Sequence, residues 1–448
     1  MSDRRSDWRA FVAVLIATAA SFGYFAAVHR DVTLLNYAFK FPDSWDWLVA
    51  ALAWLGCDVI DPVRAPFTPI AFATMFHYGV EDLIPFWGLT WHHLMVPAVY
   101  LLIRAGTGST IAAVMAALLT LTSASMLGNA LYVGSDVCAN TSMVLTLLFF
   151  WLGLRKTSGY FWPMGFFWGI SALTQYAAFI LAVPVVGYLL VFERRRLRDG
   201  HLWAGCALAA VLGLSQFAMR FASYGDPLYS RVTHLALVRP HADQFVRYVL
   251  WSVGFFSWPV LLLAVVGCWD ILCRRDLRRF GAYLIGVIVT LFVFFVFLYD
   301  WPDNRFILYW APLTFGLAGI GFRHCCEDLV LHGRSPAPNA TTSGRADSPD
   351  NAAAPSRAAG SATAPRLAVG VSLALAVFVL AGGSLARSHP FSDEIVPWHG
   401  VAIDVRSSAD ADASPLGMHW TMQRSHSRYD NFYAAHARRL RRHRDRGA

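Results

Sequence analysis

Lysine is almost missing from this chain. Only Lys40 and Lys156 occur among its 448 residues, so arginine carries the formal net charge of +8. Charge of either sign is scarce as well: 15% of residues are Asp, Glu, Lys or Arg, against roughly a quarter in an ordinary soluble domain. That shortage excludes a typical water-soluble globular protein. No nucleic-acid motif accompanies the arginines, so their surplus points to membrane orientation rather than to a nucleic-acid partner. Patterned cysteine is lacking too. The seven cysteines include no CxxC pair and no Cys/His spacing suited to zinc. Cys206 and Cys268 sit inside apolar runs, as small buried hydrophobes do. Cys57 and Cys138 are both expected on the same side of a membrane, but spacing alone supplies no disulfide geometry. There is no internal repeat, so the sequence mark of an inverted-repeat transporter is absent. A cleavable signal peptide is not expected: the first apolar run lacks a small-residue cleavage site and is long enough to span.

Long apolar runs, by contrast, are abundant. The chain is 56% hydrophobic with a mean hydropathy of +0.45, and a span needs roughly 20 apolar residues. Runs near 10–29, 83–103, 109–128, 136–154, 158–173, 175–192, 202–219, 248–272, 281–299, 305–323 and 367–386 predict an all-α polytopic membrane protein of about eleven transmembrane helices. The short fifth run meets the sixth at Thr174–Gln175, so a merged or re-entrant pair is open there. Arg4, Arg5 and Arg9 precede the first run. Arg155 and Lys156 follow the fourth, Arg194–Arg196 and Arg198 the sixth, and Arg274, Arg275, Arg278 and Arg279 the eighth. All fall on one side if the N-terminus is cytoplasmic. The other side then receives Asp31, Asp43, Asp46, Asp58, Asp61, Glu81, Asp82, Asp136, Asp226, Asp243, Asp300 and Asp303. A multi-pass protein of a bacterial inner membrane is expected.

The organisation is read as a transmembrane core over 1–325, a linker over 326–366, a last span over 367–386 and a polar tail over 387–448. The linker is Ala/Ser/Pro-rich and almost free of large apolar residues, so it cannot bury enough surface to offset its ordering entropy and is expected to be disordered and cytoplasmic. The tail ends in ARRLRRHRDRGA, which with eleven spans would lie outside. It lies farther from a span end than the charge rule reaches.

The first outer loop, 30–82, holds the densest chemistry. A membrane run ends at HRD (29–31), and WDWLVAALAWLG (45–56) follows, too short to span. An interfacial helix with Trp45, Trp47 and Trp54 at headgroup level is expected. Pro62, Pro66 and Pro69 fix turns before the next helix. Arg64 stands between Pro62 and Pro66; its guanidinium can fork two hydrogen bonds to a phosphate or snorkel to lipid headgroups, and spacing does not choose. Asp31 is either a solvated helix end or a base. Asp136 follows Ser135 before an apolar run, which is also a normal helix start. Arg305 is either an interface anchor or an anion ligand. His92 and His93 are adjacent and point to different faces of a helix, which argues against a shared metal. His77 reads as a packed interfacial ring, and Gln175 as a satisfier of backbone groups freed at a break.

Taken in order, these segments resemble the GT-C glycosyltransferases, most nearly the bacterial protein O-mannosyltransferases and lipid A aminoarabinose transferases. The resemblance rests on Asp31 and Tyr37 followed by Arg64-Ala65-Pro66-Phe67, on YVGSDVCANTSMVLTLLFF (132–150), on GFFWGISALTQYAAFILAVPVVGYLL (165–190) and on NRFILYWAPLTFGLAG (304–319). It covers about residues 10–325. It departs from the family pattern at Asp31-Val32, where an Asp-Glu pair is common, and at Ala65-Pro66, where two prolines are common. The resemblance implies transfer of a sugar from a polyprenyl-phosphate lipid to a glycan, lipid or protein acceptor at the extracytoplasmic face. On it Asp31 is the catalytic base, Asp136 orients the acceptor or shares a divalent cation with Asp31, Arg64 and Arg305 bind the donor phosphate, and Tyr37 positions substrate. The rival reading is a transporter or lipid flippase, which would place charges or broken helices near the bilayer midplane. Here the ionisable residues gather at run ends. A third reading is a non-catalytic relative.

Overall fold

A computed structural model of the chain describes residues 2–28, 42–56, 64–225, 238, 240–299 and 303–332. Asp31, Tyr37, Cys57, the linker from 333, the expected span 367–386 and the tail lie outside the described residues. The described chain is helical, apart from one isolated bridge between Val238 and Tyr299. Fourteen α-helices follow one another. They are α1 (Ser2–Val28), α2 (Pro42–Trp54), α3 (Phe67–Tyr78), α4 (Trp87–Thr107), α5 (Thr110–Thr122), α6 (Ala124–Ala130) and α7 (Asp136–Arg155). Then come α8 (Phe161–Thr174), α9 (Ala182–Phe192), α10 (Gly200–Tyr224), α11 (Phe245–Phe256), α12 (Trp258–Cys273), α13 (Arg278–Val293) and α14 (Ala311–His332).

The chain is a multi-pass membrane protein. Among the described residues five helices are long and apolar enough to cross a membrane, or up to seven if each bent pair counts once. Two runs that look continuous in sequence are bent. The run 109–128 breaks between α5 and α6 by 54°, at Ser123, whose hydroxyl caps α6 by accepting from the Met126 N–H. The run 248–272 breaks between α11 and α12 by 103°. The corner is Ser257, at φ 65 and ψ 153, a region glycine tolerates and other residues do not. Pro259 then opens α12, where its missing N–H costs nothing. Gln175 is extended at φ −150, ψ 132 and splits α8 from the turn 176–181 that leads into α9. The run 305–323 becomes a 3-10 turn at Asn304–Tyr309 before α14.

Helices approach where glycines let them. A Cβ on Gly165 of α8 would lie 2.0 Å from the Gly205 carbonyl oxygen of α10, and one on Gly205 would lie 2.2 Å from that of Phe161. Gly267 of α12 and Gly321 of α14 repeat the device: their Cβ atoms would fall 1.9 Å and 2.0 Å from the carbonyl oxygens of Leu317 and Leu263. In lipid, where apolar surface gives helices little reason to associate, such close backbone packing is a main source of cohesion. α2 is present near the place expected, but it is buried on all sides: Leu48 to Leu52 are at most 1% exposed and Trp47 4%. A helix apolar all round belongs inside protein, so of the α2 tryptophans whose side chains are described, only Trp54, at 47%, suits a headgroup level.

The bundle has two chemically different ends. One gathers Asp7 with Arg104, Glu193 with Arg155 and Arg279, and Asp270 with Arg323; it is the basic end. The other gathers Tyr132, Asp136, Gln175, Asp303 and Arg305; it is the acidic end.

Candidate functional site

Asp136 is the first residue of α7. A carboxylate there is favoured by the partial positive charge of the helix N-terminus. The segment before it is forced into a tight path: a Cβ on Gly134 would sit 2.2 Å from the Tyr132 ring. Ser135, at the N-cap, makes no side-chain capping bond. Asp136 instead receives partners from distant segments. Gln175 Nε2 donates to Asp136 Oδ1 at 2.9 Å and to Ser135 Oγ at 2.8 Å. Tyr309 donates its hydroxyl to the same Oδ1 at 3.1 Å. Arg305 Nη1 lies 3.9 Å from Oδ2.

Arg305 is held on three sides. Its Nε and Nη2 contact Asp303 Oδ2 at 2.8 and 2.7 Å. Its Nη1 donates to the Tyr132 hydroxyl at 3.3 Å, with the guanidinium 5.6 Å over the same ring. Asp303 also caps the 3-10 turn by accepting from the Arg305 N–H at 2.9 Å. Its own N–H donates to the Tyr248 hydroxyl of α11 at 3.4 Å. The turn is braced from behind by Phe295, which stacks on Phe306 at 4.5 Å and on Tyr309 at 5.3 Å. On the other flank, Tyr176 follows Gln175, and its hydroxyl accepts from Arg220 Nη2, a buried guanidinium of α10. The site therefore forms where helices are interrupted, at the Gln175 break, the Asp303–Tyr309 turn and the start of α7.

Arg64 sits ahead of α3 and is turned inward. It forms an ion pair with Asp46 of α2 and lies 5.3 Å over the Trp47 ring, so it is anchored in protein rather than extended to headgroups. Phe67, three residues on, packs against Trp87 and Trp91 of α4. The Trp91 carbonyl accepts from the Thr141 hydroxyl of α7 at 2.9 Å, little more than one turn from Asp136. The start of α3, three residues after Arg64, is thus connected through α4 to α7. Asp136 and Arg305 meet directly. Asp31 and Tyr37 lie outside the described residues.

Tyr309, Tyr132, Asp303, Arg220 and Tyr176 did not stand out in the sequence as members of a site. A tyrosine in an apolar run reads as core, and Tyr309 meets Asp136 across 173 residues. Gln175 stood out, and besides easing a helix break it holds Asp136. His93 bonds the Leu89 carbonyl at 2.8 Å and lies 3.1 Å from Ser21, and His92 is fully buried beside it. Among the described residues no group of three or more His, Cys, Asp or Glu is placed to hold a metal ion. Cys138 is a buried free thiol. His77 lies edge-on to Tyr78 at 5.0 Å.

Residues 61–218 match the family described as dolichyl-phosphate-mannose-protein mannosyltransferase. Known structures extend the likeness over most of the chain. ArnT from Cupriavidus metallidurans superimposes at a TM-score of 0.53 in the apo state, with 15% identity, over 93% of this chain and 75% of that one. The same protein bound to undecaprenyl phosphate gives 0.52 and 13% over the same shares. The chain shares the fold of these GT-C membrane glycosyltransferases. The archaeal oligosaccharyltransferase AglB from Archaeoglobus fulgidus, in complex with an inhibitory peptide and a dolichol-phosphate, shares this GT-C architecture at a TM-score of 0.52 and 15% identity, over 84% of this chain and 56% of that one. No curated protein sequence matches this chain.

Proposed function

We propose that the protein transfers a sugar from a polyprenyl-phosphate donor to a glycan, lipid or protein acceptor at the extracytoplasmic face of a bacterial inner membrane, with its N-terminus cytoplasmic. The observation that carries this reading is the convergence of Asp136, Gln175, Tyr309 and Arg305 at one end of a GT-C fold, a fold shared with a protein solved with undecaprenyl phosphate. A donor whose tail stays in the bilayer has to be met at its surface. The clustering of Arg155, Arg194–Arg196, Arg198, Arg274, Arg275, Arg278 and Arg279 at the basic end supports the orientation.

In this reading Asp31 removes the proton of the acceptor nucleophile as it attacks the sugar's anomeric carbon. The bond from that carbon to the phosphate oxygen breaks, and the polyprenyl phosphate leaves with the extra negative charge. Arg64 and Arg305 stabilise that charge. Both begin as ion pairs, with Asp46 and with Asp303, so each is poised without being an isolated buried cation, and the phosphate competes for it with a carboxylate. Asp136 orients the acceptor and, where a divalent cation takes part, shares it with Asp31. Tyr37 positions the substrate.

The test is transfer from a polyprenyl-phosphate sugar pool, with variants at matched membrane abundance. Asp31→Asn is expected to lower turnover by roughly 10²–10⁴-fold and leave donor binding nearly intact. Arg64→Ala is expected to weaken donor binding, with partial rescue by lysine, a point charge without the fork. Transfer by Asp31→Asn at the parent rate would make Asp31 an ordinary helix end.

A further inference from the structure

One surface at the basic end has the outline of a phospholipid. Val183, Val186 and Leu190 of α9 are 64%, 48% and 47% exposed and recur at spacings of three and four, so they share a helix face. Arg194 continues the stripe four residues after Leu190, and its Nε turns back to the Leu190 carbonyl. Arg195 beside it is exposed. The intervening Glu193 is mostly enclosed and is met by Arg155 of α7 at 3.8 Å and by Arg279 at the start of α13 at 3.5 Å. Arg155 and Arg279 thus contact Glu193, with Arg194 and Arg195 beside it in the chain and Lys156 next to Arg155, while the nearby Asp199 is already paired with Arg196. Trp162 and Trp203, 48% and 57% exposed, flank this end as headgroup-level indoles do.

We propose that the end of α9 and the start of α13 bind an anionic bilayer phospholipid with two phosphates. Its headgroup is held by Arg194, Arg195 and Arg279, and an acyl chain lies along Val183, Val186 and Leu190. Guanidinium forks match phosphate oxygens, and basic clefts between membrane helices select such headgroups. Glu193 neutralises only part of the surplus, which leaves charge for a dianion. The apolar stripe running straight into the arginines selects a lipid over a free anion. This site is at the opposite end from the Asp136 cluster and stands or falls independently of the transferase reading.

The experiment is native mass spectrometry of the full chain in detergent, titrated in separate arms with cardiolipin, phosphatidylcholine and inorganic phosphate. The R194Q/R195Q/R279Q variant is expected to hold cardiolipin about a hundred-fold less tightly, from about five-fold per basic residue near an anionic headgroup. R4Q/R5Q/R9Q, which removes the same charge from the start of α1, away from α9 and α13, is expected to change it less than about three-fold. R194K/R195K/R279K, which keeps the charge, should retain most of the binding. If the first variant fails to fold, the exposed single change R195Q carries the test with an expected loss of about five-fold. Equal losses in the two triple-glutamine variants, or equal retention of phosphatidylcholine, would show unspecific attraction and overturn the proposal. So would binding of inorganic phosphate as strong as that of cardiolipin. Unchanged binding in R194Q/R195Q/R279Q would also overturn it, leaving the α9 stripe to another occupant such as residues 367–386.

Discussion

The acidic and basic ends of the bundle use similar residues to opposite effect. At the basic end, ion pairs tie helix to helix near their ends: Asp7 to Arg104, Asp270 to Arg323, and Arg155 to Glu193. Each joins regular elements and leaves the helices whole. Asp199 illustrates the style. It caps α10 and accepts from the Ser158 hydroxyl at 2.5 Å, and that hydrogen bond, helped by Arg196, holds its carboxyl below the usual range despite some burial. At the acidic end the polar groups come from interruptions, namely the Gln175 break, the turn after Asp303 and the path before Asp136, and they converge on one carboxylate. Ties between intact helices make structure. Convergence at broken helices makes a place where a substrate can be met. The contrast teaches that where this bundle is least regular, its chemistry is densest.

The largest effect separating the two ends is expected in stability. Asp270 and Arg323 are both 4% exposed and lie 2.7 Å apart. Arg323→Met removes the 2.7 Å partner and leaves Asp270 facing His324, 3.1 Å away, and Arg274, and is expected to destabilise by roughly 3 kcal/mol, the low end of the cost of breaking a buried ion pair. Thermal unfolding in detergent measures it, and turnover per folded molecule should be unchanged. A variant as stable as the parent would mean that the pair is solvated.

Asp136→Asn should behave in the reverse way. It keeps the side-chain size and the bond to Tyr309 but removes the charge facing Arg305. Transfer is expected to fall about 10²-fold, the low end of what a positioned polar group supplies, with little change in unfolding temperature. Loss of stability without loss of turnover would make the Asp136 cluster another helix tie and erase the contrast between the ends.

The smallest effect is expected at the corner between α11 and α12. Ser257→Gly relieves a backbone conformation that costs a non-glycine residue about 1 kcal/mol or more. The unfolding temperature should rise slightly and the 103° bend should persist. A fall would show that the serine hydroxyl or the strain itself holds the Tyr248–Asp303 contact.

Much of the fold was legible because membrane helices must satisfy their own backbone, which makes long apolar runs unambiguous. Asp136 and Arg305 were legible because charge at the edge of such a run is conspicuous. The bends were not. Across FVRYVLWSVGFFSWPVLLLAVVGC, residues 245–268, nothing polar interrupts the hydropathy except Arg247 and two serines. The corner depends on Tyr248 being drawn to Asp303, 55 residues away. For the same reason Tyr132 and Tyr309 read as packing residues. Their hydroxyls gain meaning only when segments 173 residues apart close on Arg305 and Asp136.

The corner at Ser257 also bears on how the protein is made. Residues 245–273 form one almost unbroken apolar stretch, and machinery that reads hydropathy over about 19 residues receives it as a single span. The partners that hold α11 away from α12, the turn at Asn304–Tyr309 and Trp310 beside Tyr248, are synthesised afterwards. The stretch therefore enters the bilayer first and bends later, when α14 arrives and Asp303 offers its N–H to Tyr248. Completion of the acidic end thus waits for the turn at Asn304–Tyr309, and a chain ending before residue 304 would lack Arg305 and Tyr309 and with them the site.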